Sequence, residues 1–259
     1  MSAPVIATLL RSADARSALR RGLPRGRVRL ASCRSVAALD RVIATQLVDA
    51  VVVDPRLPGA AAGLVRLRRR FPGIPRFAYA AFRPDDADLL VRCVHDAGAH
   101  PIVEGVEDAV VWDLILPRGA GAARGAALAG APRLLRLVDD IQLRAWAVVV
   151  RGVGGPLRTA AIARALGVSR EHLSRQFGAG GAPNLKRVID LARTAAAADL
   201  LANPGYSVRA VAGILGFASA SHLASAARRI TGVTALRLPD LGPRGVLAAF
   251  VRGRTRSRA

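Results

Sequence analysis

The chain has 259 residues and a formal charge of +21, with 39 basic and 18 acidic residues. That length holds two ordinary domains and a sizeable core, and no apolar run reaches the ~18 residues of a membrane span, so no membrane partner is expected. Cys33 and Cys93 form no disulfide framework or metal-binding spacing, and the opening MSAPVIATLLRSADAR lacks the parts of an export signal, so a reducing, cytoplasmic setting is expected.

The first half alternates between strand and helix patterns. Val5–Leu10 reads as a buried strand, Ala13–Arg21 as a helix and Val28–Ala31 as a second strand. Ser35 caps a helix running to Gln46. Val48–Val53 is the β-branched run of a central parallel strand. Gly63–Arg70 is helical, Arg76–Ala80 is a strand and Pro84–Ala97 is helical. Pro101–Val103 is a short strand, and a helix covers about Glu107 to Leu116. Five such alternations predict an α/β doubly wound parallel sheet over residues 1–116.

Residues 117–131, PRGAGAARGAALAGA, break the pattern and read as a linker. Beyond them strand signals vanish. One helix is expected from Pro132 to Val150, ending at Gly152, and residues 132–240 read as an all-α domain. Residues 241–259 read as a basic tail, and its end, VRGRTRSRA, carries arginines with no apolar face and is expected to be disordered. Charge is uneven: residues 132–259 hold 20 basic and 6 acidic residues, net +14, against net +7 before them. A field of that sign suits a polyanion such as nucleic acid.

Two segments of the second half share one spacing. AIARALGVSREHLSRQF begins at Ala161 and AVAGILGFASASHLASAA at Ala210. Each has an alanine (Ala163, Ala212), a glycine–hydrophobe pair (Gly167–Val168, Gly216–Phe217) and a later leucine (Leu173, Leu223). Helices that cross steeply need a small residue at the contact, a glycine in the turn and a leucine closing the small core. Two helix-turn-helix units are therefore predicted, with Leu173, Phe177, Phe217 and Leu223 in their cores. Asn184–Leu201 reads as the connecting helix, a rod of ~27 Å. Such a rod can set two recognition helices about one turn of B-DNA apart, ~34 Å.

Residues 132–238 resemble the AraC/XylS family of bacterial transcription regulators, through GVSREHLSRQF, Arg193 with Ala197 and Leu200–Leu201, SVRAVAGILGF, and ITGVTALR. In the last, Ala235 replaces the family's usual proline. The resemblance implies double-stranded DNA as partner, with RNA polymerase as a further expected one. It implies base contacts from Glu171, Ser174 and Arg175 in the first unit and from Ser221 and Ser225 in the second, where Ala220 and Ala224 hold the neighbouring places. Arg175 can pair bidentately with guanine and Glu171 can accept from cytosine N4. The second unit's side chains are short, so the first unit is expected to read sequence and the second to position the protein on phosphates. Ser169, Arg170, Arg209, Arg228 and Arg229 are the candidate phosphate contacts. Ser169 and Ser207 are first expected as helix N-caps, and Arg193 as a structural brace. His172 and His222 have no partner at metal spacing.

Residues 3–116 resemble a response-regulator receiver domain. In VVVDPRLPG, Asp54 ends the third strand with Pro58 four residues on, as in receivers whose aspartate accepts a phosphoryl group. The rest of that chemistry is absent. Arg11 and Ser12 stand where an acidic pair would hold Mg²⁺, Ala80 or Ala81 where a hydroxyl is expected, and Gly105, after Glu104, where a lysine is expected. A degenerate receiver is expected, serving dimerisation (a homodimer through this domain) or sensing, with Arg11 pairing with Asp54 in place of the metal's charge. Asp54 is the one candidate phospho-acceptor.

No catalytic residues, metal site or cofactor are expected. GAGAARG at 119–125 resembles a dinucleotide loop, but Arg124 takes the third glycine's place and no β-α-β unit follows. The remaining alternatives are a nonspecific, nucleoid-type DNA binder, a receiver phosphorylated at Asp54, and an adaptor whose degenerate receiver docks a partner protein.

Overall fold

The computed structural model describes residues 3–155, 157–178 and 181–256. Contacts divide the chain into two units, Ala3–Ala123 with Asn203–Gly205, and Arg124–Ala202 with the residues from Tyr206 onward.

The first unit is a five-stranded parallel sheet. Its strands are β1 (Val5–Leu9), β2 (Arg29–Ser32), β3 (Ala50–Val53), β4 (Arg76–Ala80) and β5 (His100–Val103). Their order is β2-β1-β3-β4-β5, the arrangement of the flavodoxin-like doubly wound folds. Every residue of β1, β3 and β4 is buried, because helices cover both faces of a parallel sheet. The helices are α1 (Ala13–Arg21), α2 (Val36–Thr45), α3 (Ala60–Arg70), α4 (Ala87–His95) and α5 (Val111–Ile115). Ser12 and Ser35 cap α1 and α2, each accepting a backbone N–H three residues on. Ile6, Leu19, Val52, Phe77, Ile102 and Ile115 form one core cluster. Burial of each such side chain contributes ~1.5–3 kcal/mol. Tyr79 is in the same core and donates its hydroxyl to Asp108 Oδ1 at 2.6 Å, so its polar end is satisfied. Gly22 ends α1 where a Cβ would lie 2.0 Å from the Asp108 carbonyl oxygen, so only glycine fits that approach.

The linker expected at 117–131 is mostly helical. Helices α6 (Ala120–Ala127) and α7 (Ala131–Leu134) form there, and Ala120, Leu128 and Ala131 are buried. Alanine is the strongest helix former, and here its propensity outweighs the glycines. The single helix expected from Pro132 is also broken. Arg136 takes a left-handed φ of 57°, and α8 (Asp140–Gly152) starts anew behind Asp139. Asp139 and Gln142 form a reciprocal capping box, a D-x-x-Q signal readable in the sequence.

The second unit continues through α9 (Thr159–Leu166), α10 (Arg170–Gly178), α11 (Leu185–Leu201), α12 (Val208–Ile214) and α13 (Ala220–Thr231). The expected basic tail is instead a helix, α14 (Leu238–Arg256), kinked at Gly242–Pro243. Val246, Leu247 and Phe250 are buried, and the Arg187 guanidinium of α11 lies 5.0 Å from the Phe250 ring centroid. These apolar residues recur at helical spacing, and α11 supplies the partner face that a lone arginine-rich segment lacks. The last three residues of the expected tail lie outside the described residues.

Candidate nucleic-acid interface

The two helix-turn-helix units close in the same way. In the first, α9 ends at Gly167 with φ 70°, and the Val168 N–H returns to the Ala163 carbonyl at 3.1 Å. In the second, α12 leads to Gly216 with φ 68°, and the Phe217 N–H returns to the Ala212 carbonyl at 2.9 Å. A left-handed residue is needed at each turn, and glycine adopts it without a Cβ clash. Leu173, Phe177, Phe217 and Leu223 are buried in the expected cores.

Helix α11 packs against α8, α10, α12, α13 and α14, so it braces the elements of both units. Its 17 residues give a length of about 26 Å. Arg193 of α11 does the bracing expected of it. Its Nη2 donates to the Leu157 carbonyl before α9, and its guanidinium lies 5.8 Å from the Phe217 ring centroid beyond α12. Its Nε is buried without a hydrogen-bond partner, and burial lowers its pKa. Gln142 of α8 adds a second brace, donating to the Gln176 carbonyl of α10 at 2.8 Å.

The ten sequence-predicted contact residues are all exposed: Ser169, Arg170, Glu171, Ser174, Arg175, Arg209, Ser221, Ser225, Arg228 and Arg229. Glu171, Ser174 and Arg175 lie on α10, and Ser221, Ser225, Arg228 and Arg229 on α13. Two of the ten also have fixed local partners. Ser169 caps α10, its hydroxyl accepting the His172 N–H at 3.1 Å. Arg229 pairs with Asp190 of α11 at 2.7 Å, so part of its charge is engaged inside the fold. Ser207 caps α12 as expected.

The Asp54 site differs from its expectation. Asp54 follows β3 directly and is 2% exposed. Its partner is Arg56, not Arg11, which is exposed. Oδ1 accepts the Arg56 backbone N–H at 3.0 Å and its Nε at 3.1 Å, and Oδ2 accepts Nη2 at 3.1 Å. Arg56 Nη1 also donates to the Ala81 carbonyl at 3.0 Å. The hydrogen bond to Asp54 is the largest cause holding the Arg56 pKa above its ordinary value. Ser12, at one of the absent acids' places, is spent on capping α1. The Arg56 partnership was not legible in the sequence, because it depends on a two-residue turn after a strand end. Among the described residues, no group of three His, Cys, Asp or Glu side chains is arranged to hold a metal ion.

A protein-family model described as a helix-turn-helix domain matches residues 162–238. The matched segment, residues 162–238, is similar to helix-turn-helix domains of the AraC type. The match spans both units, from α9 to the start of α14. That similarity supports DNA binding by the C-terminal helical unit, and the N-terminal unit has the flavodoxin-like doubly wound fold. Two solved structures are similar to the chain. One is the signal receiver domain of an HD domain-containing protein from Pseudomonas fluorescens Pf-5, at 16% identity and TM-score 0.42, covering 46% of this chain and 88% of that one. The other is full-length FixJ from B. japonicum, at 16% identity and TM-score 0.41, covering 73% of this chain and 95% of that one. No curated protein matches the sequence.

Proposed function

We propose that the chain is a sequence-specific DNA-binding transcription regulator that enters adjacent major grooves with α10 and α13. The observation that carries this reading is the paired helix-turn-helix architecture, with every candidate contact side chain exposed on it. A rod of about 26 Å between the units suits recognition helices one DNA turn, ~34 Å, apart. The net +14 of residues 132–259 supplies attraction to phosphates. RNA polymerase is a partner that such a regulator would meet at a promoter. No helix of the described residues is long and apolar enough to cross a membrane, and the cytoplasm is the setting this reading requires.

Within that reading α10 supplies sequence discrimination through Glu171, Ser174 and Arg175, and α13 mainly positions the protein on phosphates through Arg228, with Arg209 at the start of α12. Arg175→Ala should relax base preference at one position by about 1–3 kcal/mol. Arg228→Ala should weaken binding evenly across sequences and flatten the salt dependence. Equal effects of both variants on every site would contradict the division.

The receiver-like unit acts as a non-enzymatic pseudo-receiver. Its acceptor carboxylate is held by Arg56, and the acids that would recruit Mg²⁺ are missing. Both facts weigh against the alternative of phosphorylation at Asp54. Val91, Val94, Val106 and Val110 are exposed on this unit and supply apolar surface for a homodimer.

One observation favours a second reading, a nonspecific nucleoid-type binder: exposed side chains at contact positions of α13, Ser221 and Ser225, are short. Footprinting on genomic promoter fragments separates the two. A bounded protected site supports the regulator, and uniform coating supports the nonspecific binder.

A further inference from the structure

The two recognition helices begin alike. Ser169 accepts the backbone N–H of His172 at 3.1 Å, and Ser219 accepts that of His222 at 3.0 Å. A buried leucine follows each histidine. The residue after the turn glycine differs, Val168 in the first unit and Phe217 in the second. This difference gives His222 an aromatic neighbour where the first turn has a valine.

The His222 imidazole meets the Phe217 ring edge-on, with centroids 5.5 Å apart and planes at 90°. Arg193 lies over the same Phe217 ring. The Ala218 N–H points at His222 Nδ1, 3.4 Å away. With Nδ1 accepting, the neutral ring carries its proton on Nε2. The histidine is nevertheless exposed, and its ring is held in orientation at two points.

We propose that His222 is the base-reading residue of the second unit, donating its Nε2–H to guanine in the major groove. The inference rests on the regulator reading above and adds a sequence-reading contact to a unit otherwise assigned to phosphates. His222 is the third residue of α13, and the first turn of a recognition helix is the part that contacts base edges. Ala220, Ser221, Ala224 and Ser225 are too short to reach as far as an imidazole. A ring that presents only a donor is matched by guanine, whose N7 and O6 are adjacent acceptors, and opposed by the amino group of cytosine.

Selection of bound sequences from a random duplex pool tests this with the full chain and three variants. His222→Gln keeps an amide donor near the reach of Nε2. His222→Asn keeps an acceptor for the Ala218 N–H but loses that reach. His222→Ala loses both. The wild type and His222→Gln are expected to enrich guanine about fivefold, the factor of one net neutral hydrogen bond, at one position about ten base pairs from the first-unit bases. His222→Asn and His222→Ala are expected to lose that position alone and to keep the first-unit bases, which also reports that they fold. Retention of the guanine by His222→Asn and His222→Ala overturns the proposal. So does loss of the first-unit bases in both of these variants, which would assign His222 to the fold. A wild-type selection that specifies only the first half-site overturns the proposal and leaves the regulator reading standing. Selection of no sequence at all overturns both.

Discussion

Replacing Arg56 with alanine is a direct test of the Asp54 site. The substitution strips two charge-assisted hydrogen bonds from a carboxylate that is 2% exposed and leaves only the backbone N–H of residue 56. Breaking a buried ion pair from one side costs ~3–5 kcal/mol, because the remaining charge has lost its partner in a poorly solvated place. The Arg56 side chain is itself 20% exposed, so water can enter where it stood. The expected loss is therefore at or just below the foot of that range, about 2–3 kcal/mol. Urea unfolding measures it, read through Trp112 of α5 in a Trp146→Phe background. At a typical slope the midpoint falls by roughly 1–2 M. The double variant Asp54→Asn with Arg56→Met removes both charges and should recover most of the loss. Arg11→Ala should move the midpoint by no more than an ordinary surface change, about 0.5 kcal/mol. If Arg56→Ala leaves the midpoint in place, or Arg11→Ala lowers it as far, the reasoning about this pair is wrong.

Three further outcomes are expected. Phe250→Ala should destabilise the C-terminal unit by ~3–5 kcal/mol, read by Trp146 fluorescence; an unstructured tail would show no effect. Burial first, then Arg118 and Arg76, push the His100 pKa below its ordinary value. The unfolded chain therefore takes up that proton more readily. Stability is full above the unfolded pKa of about 6.5 and is lost as pH falls through the folded value, so His100→Gln should flatten the profile below about pH 6.5. Incubation with acetyl phosphate and Mg²⁺ should yield no phosphorylated adduct by intact mass, and an accumulating adduct would contradict the pseudo-receiver reading.

Much of the interface could be read from the residues in order. The two Ala–Gly–hydrophobe–Leu spacings located both turns, because a turn glycine and a small contact residue act over a few positions of chain. Ser169 and Ser207 were readable as caps for the same reason. Other features were present but outweighed. Alanine's propensity lay within the supposed linker, and the D-x-x-Q box of Asp139 and Gln142 lay within a supposed single helix. His222 was visible as a residue, but its orientation depends on Phe217 and Ala218 around it.

Local periodicity and capping, which act within about one turn of chain, determined from the sequence alone that a parallel α/β unit precedes a helical unit with two turn motifs. Only the tertiary structure decided that Arg56 rather than Arg11 neutralises Asp54, that Asp190 engages Arg229, and that residues 238–256 fold as a helix against α11. Those outcomes turn on which charged or apolar group finds a partner in three dimensions. An arginine-rich segment is a solvated tail or a packed helix according to whether an apolar face is waiting for its Val246, Leu247 and Phe250.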